Sequence, residues 1–588
     1  MSPPRATHGL AAAVALLLAA APARGQVADQ DSAPPAGPPA ILPMPPLEVA
    51  PGPLSPGSRL VFTRDSIIWT NGYTLADLLM EVPGIYAART GFVGQPSPLY
   101  YGSRGAAGME ILYDGQPITV LGADSVGVDP GRISLMGLRR VEVERHPAFL
   151  RVYLVSERHD LPGARSLLRI VNGDFRTAGY AGLFQYRWAS GIGMDLAADY
   201  FNGKGGQGET RNATWFDLRA AVDWTPSPLV SAAFQLRSLT RDRAVTAGPA
   251  GLDVPFRDDA RRETIFRLLA STRPHRQGLS FEAGLQSATW RADSATADTL
   301  LGDRSANAGF LGLRMAGTHA TADLQTRFTD YHTPVETRLR TGWMPFGWLT
   351  LSGGARWASH LGRRTSRSAD ASLALHGGAF SLVGDVRWAD AVAAPVLADD
   401  TAQTTLDLGA RAGFASRRLT VRAGVERRDA FQAPPLAEIR GWPPLPPAAE
   451  ATFFVGDVTV NLGPLALSSW YADPVSGAAS AFEPPSHSRT ALTFRSKFLR
   501  TFRSGAFDLK VQIAVEAWSA GTAGADASGA PVPLPGTSVA EAFLQVELVS
   551  FHAFYSLKNA LRSREGFVPG FEYPRNRQTF GVKWLFRN

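Results

Sequence analysis

The side chains able to do chemistry are scattered along this chain. His146, His159, His275 and His552 have no partner at metal-ligand spacing, so ordinary surface or interior roles suit them. Asp258-Asp259 and Asp399-Asp400 are adjacent carboxylates of a kind that can hold Ca²⁺. Two ligands are too few for such a site, and solvated charge is the expected role. The chain has no cysteine, which excludes disulfides, thiolate metal sites and a cysteine nucleophile. No phosphate-binding loop, zinc spacing or nucleophile elbow occurs. The chemistry therefore implies no cofactor, no resident metal and no enzyme. The net charge of +7 is carried mainly by arginine, with no basic run interleaved with aromatics. Nucleic acid is not an expected partner.

The elements holding these residues are mostly strands. Only 19% of the 588 residues are charged, and mean hydropathy is −0.06. No segment beyond residue 25 is long and apolar enough for a transmembrane helix. A soluble β-rich protein or a membrane barrel remains. Strand alternation favours the barrel. Phe216, Leu218, Ala220, Val222 and Trp224 alternate with Asp217, Arg219, Ala221 and Asp223. Phe507, Leu509, Val511, Ile513 and Val515 alternate with Asp508, Lys510, Gln512, Ala514 and Glu516. Leu419, Val421, Ala423 and Val425 do the same with Thr420, Arg422, Gly424 and Glu426. One face suits lipid and the other a wet lumen. Counting such runs predicts about 22 antiparallel strands over residues 161–588. Short connections such as Leu462-Gly-Pro464 and Val549-Ser550 alternate with long ones such as Asp242–Arg261, Asp429–Ala449 and Asn559–Pro574. Tight periplasmic turns and longer extracellular loops produce that alternation.

The chain before 161 reads differently. Residues 1–25 form a signal peptide, with Arg5 ahead of the apolar run Leu10–Ala21. Residues 26–60 are a proline-rich, extended linker. Residues 61–160 are mixed α/β. The reading there is a short strand at Val61–Thr63 and a helix over Thr74–Glu81 capped by Thr74 and Asp77. A strand over Glu110–Tyr113 closes at Asp114-Gly115. A helical turn follows at Ile133–Leu138, then a strand over Arg140–Arg145.

Four segments in this stretch carry a resemblance. Thr74-Leu-Ala-Asp-Leu-Leu-Met-Glu-Val-Pro-Gly-Ile85 resembles the Leu-x-x-x-Pro-Gly-Val helix of TonB-dependent receptor plugs, with Pro83 and Gly84 at the motif positions. Tyr101-Gly-Ser-Arg-Gly105 resembles the plug's Ile-Arg-Gly element through Arg104 and Gly105. Ile111-Leu-Tyr-Asp-Gly115 resembles its Leu-Ile-Asp-Gly hairpin through Asp114 and Gly115. Ile133–Arg145 resembles its Ile-Glu-Val-x-Arg segment, ending on Arg145. In the barrel, Phe431-Gln-Ala-Pro-Pro-Leu-Ala-Glu438 resembles the family's Phe-Arg-Ala-Pro motif. Arg577–Phe586 resembles the terminal strand of outer-membrane barrels, and Gly581, Trp584 and Phe586 match the insertion signal. The family's glycine-rich run after the plug motif has no counterpart in Pro147–Asp160.

The resemblance implies an N-terminal plug inside the barrel, and active uptake of a scarce large solute of the siderophore, cobalamin, haem or glycan class. The implied partners are the periplasmic TonB complex, the barrel assembly machinery, and outer-membrane lipid and lipopolysaccharide. The implied state is a monomer in the outer membrane. The segment nearest to a TonB-contacting box is Leu47, Glu48, Val49 and Ala50. Phe256 and Trp442, in long loops, are candidate ligand contacts. The alternative is a plugged barrel without energised transport, in a structural or surface-assembly role.

Overall fold

The computed structural model describes residues 59–587, apart from 92–93, 96, 122–125, 160–162, 204–211, 244–245, 248–252, 255–256, 275–277, 293–303, 437–438, 440–441, 443–444, 527 and 574–575. The expected signal peptide, most of the expected linker, Leu47–Ala50, Phe256 and His275 lie outside the described residues.

Twenty-two antiparallel strands form a closed barrel. The first, Gly163–Gly173, pairs with the last, Arg577–Arg587, so no edge is left open. Each run of alternation noted above falls within one of these strands, including Ala213–Ser227, Leu419–Arg428 and Phe507–Trp518. The two faces of Ala213–Ser227 are inverted relative to a soluble protein. Val222 and Trp224 are 47% and 53% exposed, whereas Asp217 and Asp223 are 8% and 6% exposed. Lipid takes the apolar face, and the polar face packs inward.

The outer surface confirms the membrane span. Leu268, Leu285, Leu311, Leu373, Leu408 and Ile513 are exposed along the middle of the barrel. Exposed aromatics girdle both ends: Tyr180, Phe328, Trp357, Trp388 and Tyr471 at one, and Trp188, Trp224, Phe346, Trp348, Phe380 and Trp584 at the other. Such rings sit at headgroup level on either side of the hydrocarbon. Both barrel ends of the chain lie with the second girdle, where most turns are two to six residues long. This end is periplasmic, and the long loops are extracellular.

The strands run further than the sequence suggested between Asp242 and Arg261. Val230–Arg243 and Arg257–Ser271 stay paired up to Arg243 and Arg257. Asp258 and Asp259 are therefore strand residues, not loop residues, and period two sends them to opposite faces.

The plug lies inside. Its five-stranded mixed sheet takes β1 Arg59–Phe62, β2 Met109–Tyr113, β3 Gln116–Pro117, β4 Leu138–His146 and β5 Phe149–Ser156 in the order β1-β4-β5-β2-β3. Only the β2–β5 pair is parallel. Helix α1 spans Arg64–Ile68 and α2 spans Leu75–Leu79. In α2 the Asp77 carboxylate accepts from the Thr74 N–H at 3.1 Å, closing the capping box, and Gly84 turns the chain at φ +84°. The sequence reading missed α1, a single turn capped by Thr63. The expected helical turn at Ile133–Leu138 sits earlier, as a 3₁₀ turn over Pro130–Arg132. There Asp129 caps the Gly131 N–H and proline presets the first position. The glycine-poor stretch after the plug motif is β5, joined to β4 through Ala148 at φ +54°.

Candidate functional site

The plug motif residues meet the barrel wall. Arg104 is ion-paired with Asp407 and lies over the Phe431 ring at 4.5 Å, so the plug's Arg-Gly element docks on the barrel's Phe-Gln-Ala-Pro element. Gly105 takes φ +56°, with Ala433 3.3 Å from where its Cβ would stand. Asp114 sits at φ +46° beside Gly115 at φ +82°. Its carboxylate accepts from the Ser156 N–H at 2.9 Å and from Gln235 at 3.0 Å. Burial alone would raise the Asp114 carboxyl, but Arg158, Arg219 and Arg267 outweigh it and hold the group below its ordinary value. Arg145 faces Glu426 at 3.6 Å. Asp77 holds Lys558 at 3.3 Å and Arg89 at 3.1 Å. These contacts trade water for paired charge, and water can replace them again if the plug moves.

The extracellular mouth has two unlike halves. On one side, the described residues of loops 429–450, 477–486, 519–536 and 559–576 fold down onto the plug apex. Leu436, Ile439, Phe482, Phe567 and Phe571 join a single apolar core with plug residues Leu79, Ile85, Tyr86 and Tyr100. The Tyr86 hydroxyl donates to the Phe567 carbonyl at 2.6 Å, and the Ser103 hydroxyl donates to Glu483 at 2.8 Å. This half is sealed.

The other half holds a cavity of about 250 Å³ between plug and wall. Its upper lining is Tyr331, His332, Pro395 and Val396, from the shorter loops 330–334 and 393–401. Deeper, Arg104 and Arg151 of the plug meet Arg327, Arg338, Arg356 and Arg387 of the barrel, with Glu110 and Glu336 among them. Glu336 is held by Arg338 at 2.7 Å and Arg356 at 2.5 Å, and Glu110 by Arg338 at 2.7 Å. Arg151 reaches Asp370 at 2.6 Å. Arg327 donates to the Thr119 hydroxyl at 2.8 Å and to Gln286 at 3.2 Å, both neutral. Six guanidiniums thus outnumber the five carboxylates Glu110, Glu144, Glu336, Asp370 and Asp407 within ion-pair distance of them. Arg104 Nε and Nη1, Arg327 Nε and Arg338 Nη1 are buried donors with no acceptor among the described residues. Burial would raise the Glu110 carboxyl, but Arg338, Arg356 and Arg151 overcome it and keep the group charged. An enclosed lumen lined this way concentrates positive potential.

The family model of the TonB-dependent receptor plug domain matches residues 54–152. That domain sits inside a closed 22-stranded antiparallel wall, and the combination supports a TonB-dependent receptor of the outer membrane. Solved structures share its fold at low identity. The siderophore receptor PirA from Acinetobacter baumannii is 9% identical with a TM-score of 0.68, over 90% of this chain and 98% of that one. The iron transporter FrpB from Neisseria meningitidis is 11% identical with a TM-score of 0.67, over 90% and 99%. The copper transporter OprC is 13% identical with a TM-score of 0.66, over 90% and 100%. Comparison with curated protein sequences gives no match.

Other residues singled out in the sequence take definite places in this receptor. Trp442 packs against Phe482, with ring centroids 5.1 Å apart, on the sealed side of the mouth. Asp259 faces the lumen and binds Arg132 of the plug at 3.3 Å, while Asp400 accepts from the Ala394 N–H at 2.5 Å within its own loop. His146 contacts Arg151 at 3.1 Å, His159 the Gly163 carbonyl at 3.0 Å, and His552 stacks edge-on against Trp69 at 5.5 Å. Among the described residues no group of three or more His, Asp or Glu is placed to hold a metal. Gly581 sits where an added Cβ would meet the Ile170 carbonyl oxygen at 2.1 Å, and Trp584 stacks on Phe586 at 4.4 Å on the lipid side. The cavity arginines were missed in the sequence. Period two alone puts Glu336, Arg338 and Arg340 on one face. The cross-strand pairing of Arg338 with Arg356 is a matter of register between strands.

Proposed function

We propose that this receptor takes up a scarce, anionic solute from outside the cell, binding it in the arginine-rich cavity under the open half of the mouth. The observation that carries this reading is the excess of guanidiniums there, including Arg327, whose hydrogen bonds go to the neutral Thr119 and Gln286. Ferric siderophores are the class in view, because oxygen-rich chelates of this kind are anionic and planar guanidiniums match carboxylate and phenolate oxygens. TonB would pull the segment before β1. The plug seam, built from replaceable ion pairs, would give way before the apolar core beneath the sealed loops.

The test is binding of a panel of ferric chelates of graded charge to the purified receptor. Anionic members should bind, and Arg327→Gln should weaken them at least tenfold. Equal binding of neutral and anionic chelates would refute the reading. A second reading, a plugged barrel without energised transport, is favoured by one feature: the apolar core that joins the plug apex to four loops. Uptake that persists in the presence of a proton uncoupler would select it.

A further inference from the structure

One periplasmic connection breaks the pattern of the others. The turn between strands His487–Ser496 and Phe507–Trp518 is ten residues long, 497–506, where the neighbouring turns 463–464 and 549–550 have two. Every residue from Lys497 to Ser504 is exposed. The segment nonetheless has internal order. The Phe502 N–H bonds the Phe498 carbonyl at 2.8 Å, making one helical turn, and the Gly505 N–H bonds the Phe502 carbonyl at 3.1 Å. That turn puts Phe498, Leu499 and Phe502 together, since residues three and four apart share a face. Their exposures are 39%, 58% and 44%.

These apolar groups extend the lipid-facing surface of the barrel. Phe498 lies 5.9 Å from the Phe494 ring and 5.7 Å from Phe507, and Phe502 stacks on Phe507 at 4.7 Å. Phe494 and Phe507 end the flanking strands in the periplasmic girdle. Interleaved with the apolar residues are Lys497, Arg500 and Arg503, all exposed. The nearby acids are already engaged or lie on the lumen side. Asp65 and Asp508 are held by Arg495 at 3.2 and 3.0 Å, and Glu547 faces His552 at 3.8 Å while also attracting Lys497. Apolar side chains continuous with the lipid belt, alternating with three cations, have the composition of an interfacial anchor.

We infer that residues 497–506 form a membrane anchor that recognises anionic phospholipid headgroups in the periplasmic leaflet. Phe498, Leu499 and Phe502 enter the acyl edge, and Lys497, Arg500 and Arg503 contact phosphates. The lipid class follows from charge. Each basic residue near an anionic surface is worth roughly a fivefold preference over a neutral one, so three are worth on the order of a hundredfold. A protein partner would need neither the continuity with the girdle nor that excess of cations.

The absence of native cysteine makes the test direct. Thr501→Cys, in the full chain, carries a polarity-sensitive fluorophore. The protein is reconstituted in phosphatidylcholine vesicles, with or without phosphatidylglycerol, and quenched by lipids brominated in the acyl chain. Both faces of such vesicles have the same composition, so insertion direction is immaterial. The expected result is strong quenching with phosphatidylglycerol, weak quenching without it, and loss of the difference in K497Q/R500Q/R503Q. Heat-dependent gel mobility of the folded barrel confirms that each variant assembles. Equal quenching in both lipids would mean apolar insertion without headgroup recognition and would overturn the inference. No quenching in either would overturn it too, leaving the segment to water or to a protein.

Discussion

Replacing Asp407 should loosen the plug more than replacing the plug arginine it binds. Asp407 is fully buried in the wall, facing Arg104 of the plug, Arg387 at 3.7 Å and the Asp429 N–H at 2.9 Å. Burial holds the Arg104 guanidinium below its ordinary value despite Asp407 beside it, so the pair is stabilising chiefly relative to its broken halves. Asp407→Ala leaves two guanidiniums with only the more distant Asp429 and Asp370 for counter-charge, and removing one partner of a buried pair costs about 3–5 kcal/mol. Arg104→Ala leaves Asp407 with Arg387 and the N–H, so the loss should be about 1–3 kcal/mol. The double variant strands only Arg387 and should be less damaged than Asp407→Ala alone. The assay is pulse proteolysis of the plug in detergent across a urea series, with gel mobility reporting the barrel. If Arg104→Ala cost as much as Asp407→Ala, or the double variant cost more than either, the role assigned to Asp407 would be wrong.

Other expectations follow from the same structure. His360 bridges Thr333 at 2.9 Å and Ser366 at 2.7 Å, tying two extracellular loops to the wall; burial, with Arg356 and Arg364 nearby, lowers its pKa to about 4. Its stabilising contribution is therefore complete above the ordinary histidine value of about 6.5 and fades as pH falls toward 4. Amide exchange in loops 330–334 and 360–364 should rise over that window in the wild type and not in His360→Gln. Arg at Val222, on the lipid face, should cost about 2–4 kcal/mol near the midplane; a refolding titration showing no loss would undo the strand register. Trp584→Ala with Phe586→Ala should slow assembly, and Gly581→Val should block pairing with Gly163–Gly173; normal insertion rates for both would contradict the proposed signal. Val49→Pro should abolish energised uptake while Val49→Ala spares it, because strand addition to TonB uses main-chain N–H groups that proline lacks. Uptake unaffected by Val49→Pro would remove Leu47–Ala50 from consideration.

The barrel was legible in the sequence because its signal is local. A strand with lipid on one side and polar groups on the other must alternate, and alternation such as Phe216–Trp224 needs no knowledge of neighbours. Pro83-Gly84 and Asp114-Gly115 were legible for a similar reason, since a helix stop and a tight turn demand particular residues at fixed spacing, whereas Arg104-Gly105 stood out only through its resemblance to a plug motif. Helix α1 escaped notice because one turn, Arg64–Ile68, has no periodicity to read. It is held by contacts far along the chain, with Lys510 donating to the Trp69 carbonyl at 2.9 Å and Lys583 to that of Ile68. The strand Phe149–Ser156 was hidden too, since it is buried on both faces and reads as an unpatterned apolar run. The cavity lay furthest from view. Arg104, Arg151, Arg327, Arg338, Arg356 and Arg387 are separated by up to 283 positions, by their numbering. Parity fixes only which side of a strand each one faces. Barrel closure, strand register and the seating of the plug bring the six together, and those are properties of the whole fold.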